Sequence, residues 1–557
     1  MSQKKILLLG GSAQQVIAIK TAKKLGYYTV LCDYLSDNPG QYVADKYYNA
    51  STTDVEAVYQ IAKDEQVDGI LAYASDPAAL PAAIVAERLG LPTNPAKSVE
   101  VLGLKHPWRQ FLQSHGFACP KVYSFHPETS LDKIKENAKN FTFPVVVKPT
   151  DSSGSKGVTM LENWDGLEKA IVWADSYSRN KVLLVEEYIQ RGFPSVVGGD
   201  IFVWDGKVVL YGEMECLRDT KRSPLIPIGK KKPLCTSEKQ TSNIHRELQR
   251  VVTALDVRFG ELNIEIILDK KDNVHFLELG PRAGGNMIPI QLSDAYGIDL
   301  VKANVQAAMG EKPEFLDQPV KSLPGCYMHY VLHSYEAGTF KGIEIDESIA
   351  KNVYRQVIYK KEGDPVEVFD GAGKALGIIF LHFDTVEQME DFSARYNELV
   401  RIKLVKYKTM DNIKIEIRKL SFEFVYDTLK DMSSLFVPPL SESLDIESYA
   451  KKLSDKAQFV VCMNEDKMIG FTAYYLNSFA QQIYITLICV DIKYQSYGIG
   501  GMMLDYVTSC TRESDKLYET IALEVNKKNG KAHRFYLKQG FEEQEDRGEK
   551  LLMVKHI

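Results

Sequence analysis

The 557-residue sequence has no apolar run long enough to cross a membrane. After Met1-Ser2-Gln3-Lys4-Lys5 the early hydrophobic stretch is only Ile6 to Leu9, too short for a signal-peptide core, so neither secretion nor a membrane partner is expected. Basic charge is not in excess. The 68 Lys and Arg stand against 74 Asp and Glu, a net −6, which offers nucleic acid no global field. Eight cysteines (Cys32, Cys119, Cys216, Cys235, Cys326, Cys462, Cys489, Cys510) are scattered and never form CxxC. That argues against a zinc site or disulfide framework and for reduced thiols in a cytoplasm. Low-complexity segments and internal repeats are missing as well. What remains is 45% apolar and 25% charged, an ordinary globular composition. The length suggests roughly three to five domains.

GxGxxG is absent too. Residues 4–105 alternate strand and helix: strands at Lys5–Gly10, Tyr28–Cys32 and Gly69–Tyr73, helices at Ala13–Leu25, Val55–Glu65 and Pro77–Leu89. Alternation at this pitch predicts a parallel sheet covered by helices. The first turn reads Gly10-Gly11-Ser12-Ala13-Gln14-Gln15, so a pyrophosphate could not approach as the dinucleotide fingerprint requires. An NAD-linked dehydrogenase is disfavoured on that ground.

What is present begins with Asn263-Ile264-Glu265 and Phe276-Leu277-Glu278-Leu279-Gly280-Pro281-Arg282-Ala283-Gly284-Gly285-Asn286. The two carboxylates are thirteen positions apart, each after an apolar run, with a turn at Asp269–Asn273 between them. A hairpin would set Glu265 and Glu278 on neighbouring strands, close enough to share one hard cation. Arg282 follows at once. Carboxylates holding Mg²⁺ beside a fixed guanidinium suit phosphoryl transfer, which gathers negative charge between metal and arginine.

Upstream, the apolar run Phe143–Val147 ends in Lys148 and leads to Ser152-Ser153-Gly154-Ser155-Lys156-Gly157. Successive N–H groups of such a loop can bind phosphate oxygens. A second buried run ends at Glu186-Glu187-Tyr188-Ile189, where an adenine could lie against apolar residues while a carboxylate takes ribose hydroxyls. The order Lys105, Lys148, Ser/Gly loop, Glu186–Ile189, Glu265, Glu278, Arg282 resembles the ATP-grasp superfamily over about residues 1–410. The resemblance implies that Lys105, Lys148 and the loop from Ser152 to Gly157 contact ATP phosphates. Glu186 and the Glu187–Ile189 backbone would hold adenine, with one of the acids on the ribose. Glu265 and Glu278 would bind Mg²⁺, and Arg282 would stabilise the transferred phosphoryl group. Two positions depart from the family: Gly280 stands where Asn is usual, with Asn286 as a nearby substitute, and Leu104 stands where an acid often precedes the first lysine.

Glu213–Lys232, with Arg218, Lys221 and Arg222, reads as a basic loop over an anionic substrate or as a solvated surface loop. Gly284-Gly285-Asn286 could approach the acceptor.

A polar stretch near Thr409–Asn412 precedes a fresh strand at Ile413–Arg418. Further on, Tyr484–Val490 leads into Gln495-Ser496-Tyr497-Gly498-Ile499-Gly500-Gly501, where a helix begins with unpaired N–H groups aimed at an anion. Together with Val525, Asn529, Ala532, Tyr536 and Gly540-Phe541, this set resembles the GNAT acetyltransferases over about residues 412–557. By that resemblance Gln495, Gly498, Ile499, Gly500 and Gly501 bind the acetyl-CoA pyrophosphate. Ile488 and Val490 align the pantetheine, Asn529 meets the cofactor arm, and Tyr536 protonates the leaving thiolate, its alternative being a helix-packing aromatic. The general base is unassigned among Tyr484, Thr486 and Glu524. Leu435–Ser441 reads as an acceptor loop or as an ordinary Pro turn.

The expected architecture is multidomain, α/β and α+β: a Rossmann-like domain at 1–105, an ATP-grasp domain at 106–310, a small α+β segment at 311–410 and a GNAT domain at 411–557. The expected function is bifunctional. An ATP- and Mg²⁺-dependent carboxylate–amine ligase, acting on small molecules, is joined to an acetyl-CoA-dependent N-acetyltransferase of a small amine, an amino sugar or amino acid. Related ligases often dimerise, so a homodimer is the assembly the resemblance implies. The rival reading is an acetyltransferase with a non-ligating nucleotide-binding regulatory module.

Overall fold

The computed structural model describes residues 3–152, 157–219, 222–406, 413–433, 436–478, 480–495, 498–512 and 518–556, without the side chains of 223–225, 372, 406, 443, 493 and 510–512. The chain forms two compact units. The first spans 1–336 and 340–404, and the second holds 337–339 and 405–557.

The first unit opens with four parallel strands, β1 (Lys5–Leu9), β2 (Tyr28–Asp33), β3 (Lys46–Asn49) and β4 (Gly69–Leu71), in the order β3-β2-β1-β4. Helices Val16–Lys24, Val55–Glu65 and Asp76–Leu89 fall where the apolar periodicity predicts. Asp54 caps the second by accepting from the Glu56 and Ala57 N–H groups. The turn after β1 is closed to a dinucleotide. The Gln15 amide donates to the Tyr73 carbonyl and accepts from the Ser12 N–H, and a Cβ added at Gly10 would lie 2.3 Å from Gln15 Nε2. Asp33 is spent on the Gly11 and Leu35 N–H groups.

A small antiparallel sheet follows: β5 (Val122–Phe125), β6 (Val145–Pro149), β7 (Thr159–Leu161) and β8 (Leu183–Glu187), in the order β5-β8-β6-β7. Then comes an eight-stranded antiparallel sheet. Its members β9 (Val197–Trp204), β10 (Lys207–Asp219), β11 (Ser223–Lys232), β12 (Phe259–Leu268) and β13 (Val274–Gly280) are joined by β14 (Cys326–Leu332), β16 (Val353–Ile358) and β18 (Gly377–Phe383). The order is β13-β12-β9-β10-β11-β14-β18-β16, and β15 (Gly338–Ile345), β17 (Pro365–Val366) and β19 (Val400–Lys406) form a third sheet. Strands from residues 311–410 thus extend the same sheet that carries Glu265 and Glu278.

The period of two along β12 sorts its side chains. Leu262, Ile264, Ile266 and Leu268 pack with Ile244, Leu248, Val251 and Val252 of helix Glu238–Ala254 in one core. Glu261, Asn263 and Glu265 therefore share the opposite face. That face carries the candidate site.

One expectation is corrected here. Glu213–Lys232 is mostly a hairpin of β10 and β11, with Lys230 and Lys231 buried within the strand rather than displayed on a loop. Lys231 Nζ meets Glu215 and Glu390 at 3.2 and 2.7 Å, and Lys232 Nζ stands 4.7 Å from the Tyr296 ring centroid. A long apolar stem with a partnered ammonium is what lets a basic run enter a sheet.

The second unit is one sheet of β20 (Ile413–Arg418), β21 (Gln458–Asn464), β22 (Lys467–Asn477), β23 (Gln482–Val490), β24 (Thr520–Asn526), β25 (Glu542–Arg547) and β26 (Lys550–His556), in the order β20-β21-β22-β23-β24-β26-β25. Helices Phe422–Met432 and Ile446–Lys456 cover one face through Val425, Leu429, Ala450 and Leu453. Helices Ile499–Arg512 and Gly530–Lys538 cover the other through Met503, Val507 and Tyr536. Among the described residues no helix is long and apolar enough to cross a membrane.

Candidate active sites

In the first unit Glu265 and Glu278 are direct cross-strand partners on β12 and β13, as the hairpin reading requires. The turn between them is held by Asp269, whose carboxylate accepts from the Lys271 and Asn273 N–H groups and the Asn273 amide. Burial raises Glu278 above the usual carboxylate range. Lys105 and Arg282 pull it down, while Glu265 and Asp76 add to the rise. Two facing carboxylates with surplus negative charge fit a divalent cation that takes its remaining ligands from phosphate and water. No group of three or more His, Cys, Asp and Glu poised for a metal occurs among the described residues, so the fit is to such an open site.

Lys105 begins helix Lys105–Ser114, its N–H on the Thr150 carbonyl and its Nζ 2.5 Å from the Ser152 carbonyl. It tethers the entry to the Ser/Gly loop. Ser153, Gly154, Ser155 and Lys156 lie outside the described residues, and Gly157 has φ +73°.

Lys148 on β6 is buried and pairs with Glu186 on β8. Glu186 also receives Arg109 Nε at 2.9 Å and Nη2 at 3.3 Å, and Arg109 is 1% exposed. Burial pushes Glu186 up, yet the two cations outweigh it and hold the carboxylate at about 2. Burial, aided by Arg109, brings Lys148 down to about 8 against the pull of Glu186. The triad carries one positive charge more than its carboxylate cancels, which suits an incoming phosphate. Glu186 thus anchors Lys148 and Arg109.

Glu187 is likewise occupied, accepting from the Thr142 N–H at 2.8 Å and from Lys121, while its own N–H and that of Tyr188 donate to the Lys121 and Pro144 carbonyls. Of this motif, Ile189 keeps a place in an apolar bed with Val196, Cys216, Ile267 and Leu277.

Arg282 pairs in parallel with Asp76, Nε–Oδ1 and Nη2–Oδ2 both at 2.7 Å. A Cβ on Gly280 would lie 3.3 Å from Arg282 Cζ and 3.3 Å from Asp76 Oδ1, a close approach to this ion pair. Beneath the loop, Asp200 accepts from the Gly284 N–H and the Asn263 amide, both at 2.7 Å, and faces Glu261. Burial and then Asp200 raise Glu261 well above the carboxylate range, which favours its protonated form beside Asp200. A raised folded-state value means that this stabilisation is full below the ordinary carboxylate value and is lost as pH rises through the raised one. Glu261→Gln, which keeps the donor without a titration, is expected to flatten the fall of melting temperature with rising pH, read by calorimetry across neutral and alkaline buffers.

Among the substrate-binding candidates, Arg218 Nε is buried without a partner among the described residues, Arg222 stands 5.1 Å from the Tyr335 ring, and Lys221 lies outside them. The Asn286 N–H donates to Gln14 Oε1 at 2.8 Å, and its Oδ1 is buried without a partner among the described residues. The backbone of Asn286 therefore meets the turn after β1.

In the second unit β23 and β24 pair in parallel only from Gln482–Thr520 to Ile485–Leu523, while β23 runs on to Val490 and β24 to Asn526. The strands part, and the wedge bares the β23 backbone around Ile488 and Val490. Gln495 donates to the Val490 carbonyl and accepts from Lys531. Gly498 (φ +77°) precedes helix Ile499–Arg512, where a Cβ on Gly500 would stand 3.0 Å from Phe535 and one on Gly501 would stand 3.2 Å from Gln539. Asn529 caps helix Gly530–Lys538 by accepting from the Ala532 N–H, so its oxygen is committed to the fold and its amide N–H₂ alone can serve a cofactor. Tyr536 packs with Ile485 and Leu523 where the strands part, and burial raises its hydroxyl. Glu524 is spent on Arg547 and Lys550. Tyr449 and Thr486 share a hydrogen bond of 2.7 Å.

Arg109 and Asp76 escaped the sequence reading. Arg109 stands four residues after Lys105 on one helical face, a legible signal for a partnered cation. Asp76 reads as a helix-start acid, and nothing local joins it to Arg282.

Residues 109–315 match the family model described as carbamoyl-phosphate synthase L chain, ATP binding domain, and residues 429–552 match the acetyltransferase (GNAT) domain. The chain is similar to the carbamoyl phosphate synthase large chain of Thermotoga maritima, 23% identical over 313 residues, which are 54% of this chain and 27% of that protein. It thus spans about a quarter of that relative's length. In fold it resembles the L-amino acid ligase of Bacillus licheniformis (TM-score 0.61, 20% identity, 72% of this chain and 99% of that one). It also resembles the phosphoribosylglycinamide synthetase of Anaerococcus prevotii (TM-score 0.59, 19% identity, 72% and 100%).

Proposed function

We propose that this chain, which carries an ATP-grasp domain and a GNAT domain, is a bifunctional enzyme. Its first activity is an ATP- and Mg²⁺-dependent carboxylate–amine ligation, its second an acetyl-CoA-dependent N-acetylation of a small amine. The observation that carries the ligase reading is the Glu265–Glu278 cross-strand pair, set beside Lys105 and the Asp76-locked Arg282.

On this reading adenine rests on the bed around Ile189, and the phosphates reach Lys105, Lys148 and the loop from Ser152 to Gly157. Glu265 and Glu278 hold Mg²⁺, which neutralises phosphate charge when bound. A substrate carboxylate oxygen attacks the γ-phosphorus, the bond to the β-phosphate oxygen breaks, and ADP leaves. An amine then attacks the acyl carbon and phosphate departs, giving an amide. Asp76 keeps the Arg282 guanidinium in one plane, ready for the charge that develops on the transferred group. The ligase is tested by ADP and phosphate release from Mg-ATP against a matrix of amino acids, sugar acids and amines. Release that needs both a carboxylate and an amine supports it. Nucleotide binding without release for any pair would favour a regulatory module instead.

The acetyltransferase half rests on the parting of β23 and β24, into which a pantetheine arm would extend the sheet. Tyr536→Phe keeps the buried ring and removes the proton. It is expected to lower kcat by about 10²-fold with KM for acetyl-CoA nearly unchanged. An unchanged kcat would return Tyr536 to packing alone.

A further inference from the structure

We propose that Cys216 and Lys230 form a redox-modification site, at which a hydroperoxide joins the two side chains by a covalent sulfur–nitrogen bond. Lys230 Nζ donates to Cys216 Sγ at 3.2 Å, and the two residues are directly opposed on β10 and β11. Both are buried, at 6% and 5% exposure. Cys32, Cys119 and Cys235 instead donate to backbone carbonyls.

The neighbouring strand makes room for the pair. A Cβ at Gly198 on β9 would fall 2.1 Å from Lys230 Nζ and 2.7 Å from Cys216 Sγ. The register that opposes Asn263 to Asp200 and Ile266 to Val197 sets Gly198 opposite Glu265. The lysine amine therefore lies on the sheet face that carries the metal carboxylates. Cys216 itself borders the apolar bed with Ile189 and Ile267. Cross-linking would strip the amine of its charge beside the phosphoryl-transfer groups.

The chemistry balances with one oxidant. The Cys216 sulfur attacks the peroxide oxygen, an S–O bond forms, the O–O bond breaks, and an alcohol or water leaves. The Lys230 nitrogen then attacks that sulfur. The N–S bond forms, the S–O bond breaks, and hydroxide departs with the nitrogen's proton as water. Sulfur has lost two electrons and the peroxide has gained them. A thiol reverses the bond by attack on sulfur, releasing the amine.

The test is mass spectrometry of the full-length protein after peroxide treatment, with the exposed Cys235 as an internal dosing control. The expected product is a peptide pair linked through Cys216 and Lys230, about 2 Da lighter than the sum of its parts. Dithiothreitol should dissolve it, and Cys216→Ala and Lys230→Met should each lack it. Oxidation of Cys235 with Cys216 unlinked, or Cys216 driven to sulfinic acid with Lys230 untouched, would overturn the proposal. The consequence for activity rests on the ligase reading: peroxide should then suppress ADP release in the wild type, and dithiothreitol should restore it. The mass readout stands whether or not ligation is found, so the two failures are distinguishable.

Discussion

Replacing Glu278 with alanine is expected to lower ATP-dependent ADP release by about 10²–10³-fold, while acetyl transfer by the second unit proceeds at the wild-type rate. The expectation follows from register. Glu278 and Glu265 are opposed, and burial, with Glu265 and Asp76 adding to it, raises Glu278, a penalty on its charge that a divalent cation would offset. Removing one carboxylate leaves a cation with half its protein ligands. The protein itself should not suffer, since deleting one of two repelling, half-buried acids relieves strain; melting at or above the wild-type temperature is the accompanying result. The measurement is coupled ADP release at saturating Mg²⁺, beside thiol release from acetyl-CoA on the same preparation. ADP release that survives in Glu278→Ala would remove the metal role. Loss of both activities together would instead mean that the substitution damages the whole chain.

Arg109→Ala should be the most destabilising of the substitutions considered, costing about 3–5 kcal/mol of folding free energy. Arg109 is buried, pairs with Glu186, and donates from Nη1 to the Phe276 carbonyl at 2.8 Å, so it ties the small sheet to the strand that bears Glu278. Its loss leaves a buried carboxylate with Lys148 alone and a carbonyl short of a donor. The stabilisation is present above the ordinary carboxylate value and is lost as pH falls towards about 2, because Glu186 is depressed in the folded state. Denaturant unfolding at neutral pH would show the cost directly. The double change Arg109→Met with Glu186→Gln should recover part of it, since no uncompensated charge remains. A single variant as stable as wild type would show that water reaches the triad.

Glu265, Glu278 and the turn at Asp269 were legible because a hairpin is a local structure: alternating burial and a five-residue turn set the register. The same holds for the N-terminal strands and helices, whose apolar periods carry their own boundaries. Lys230–Lys232 was misread for the opposite reason. Three consecutive lysines look solvated until the partners arrive, and those partners, Cys216, Glu215, Glu390 and Tyr296, come from other elements. The partners of Glu186 were not legible, because Arg109 lies 77 residues away in sequence.

By itself, then, the sequence determined which strands and helices present the candidate residues: periodicity, turns and caps are short-range and act through the backbone. Which of those groups answer to each other was decided only in the tertiary structure. Asp76 clamps Arg282 across 206 positions, Gly280 leaves room for that clamp, and Asp200 with Glu261 supports the loop behind it. Charge pairing in a buried site depends on distance and desolvation, and both are set by packing between elements that no local pattern links.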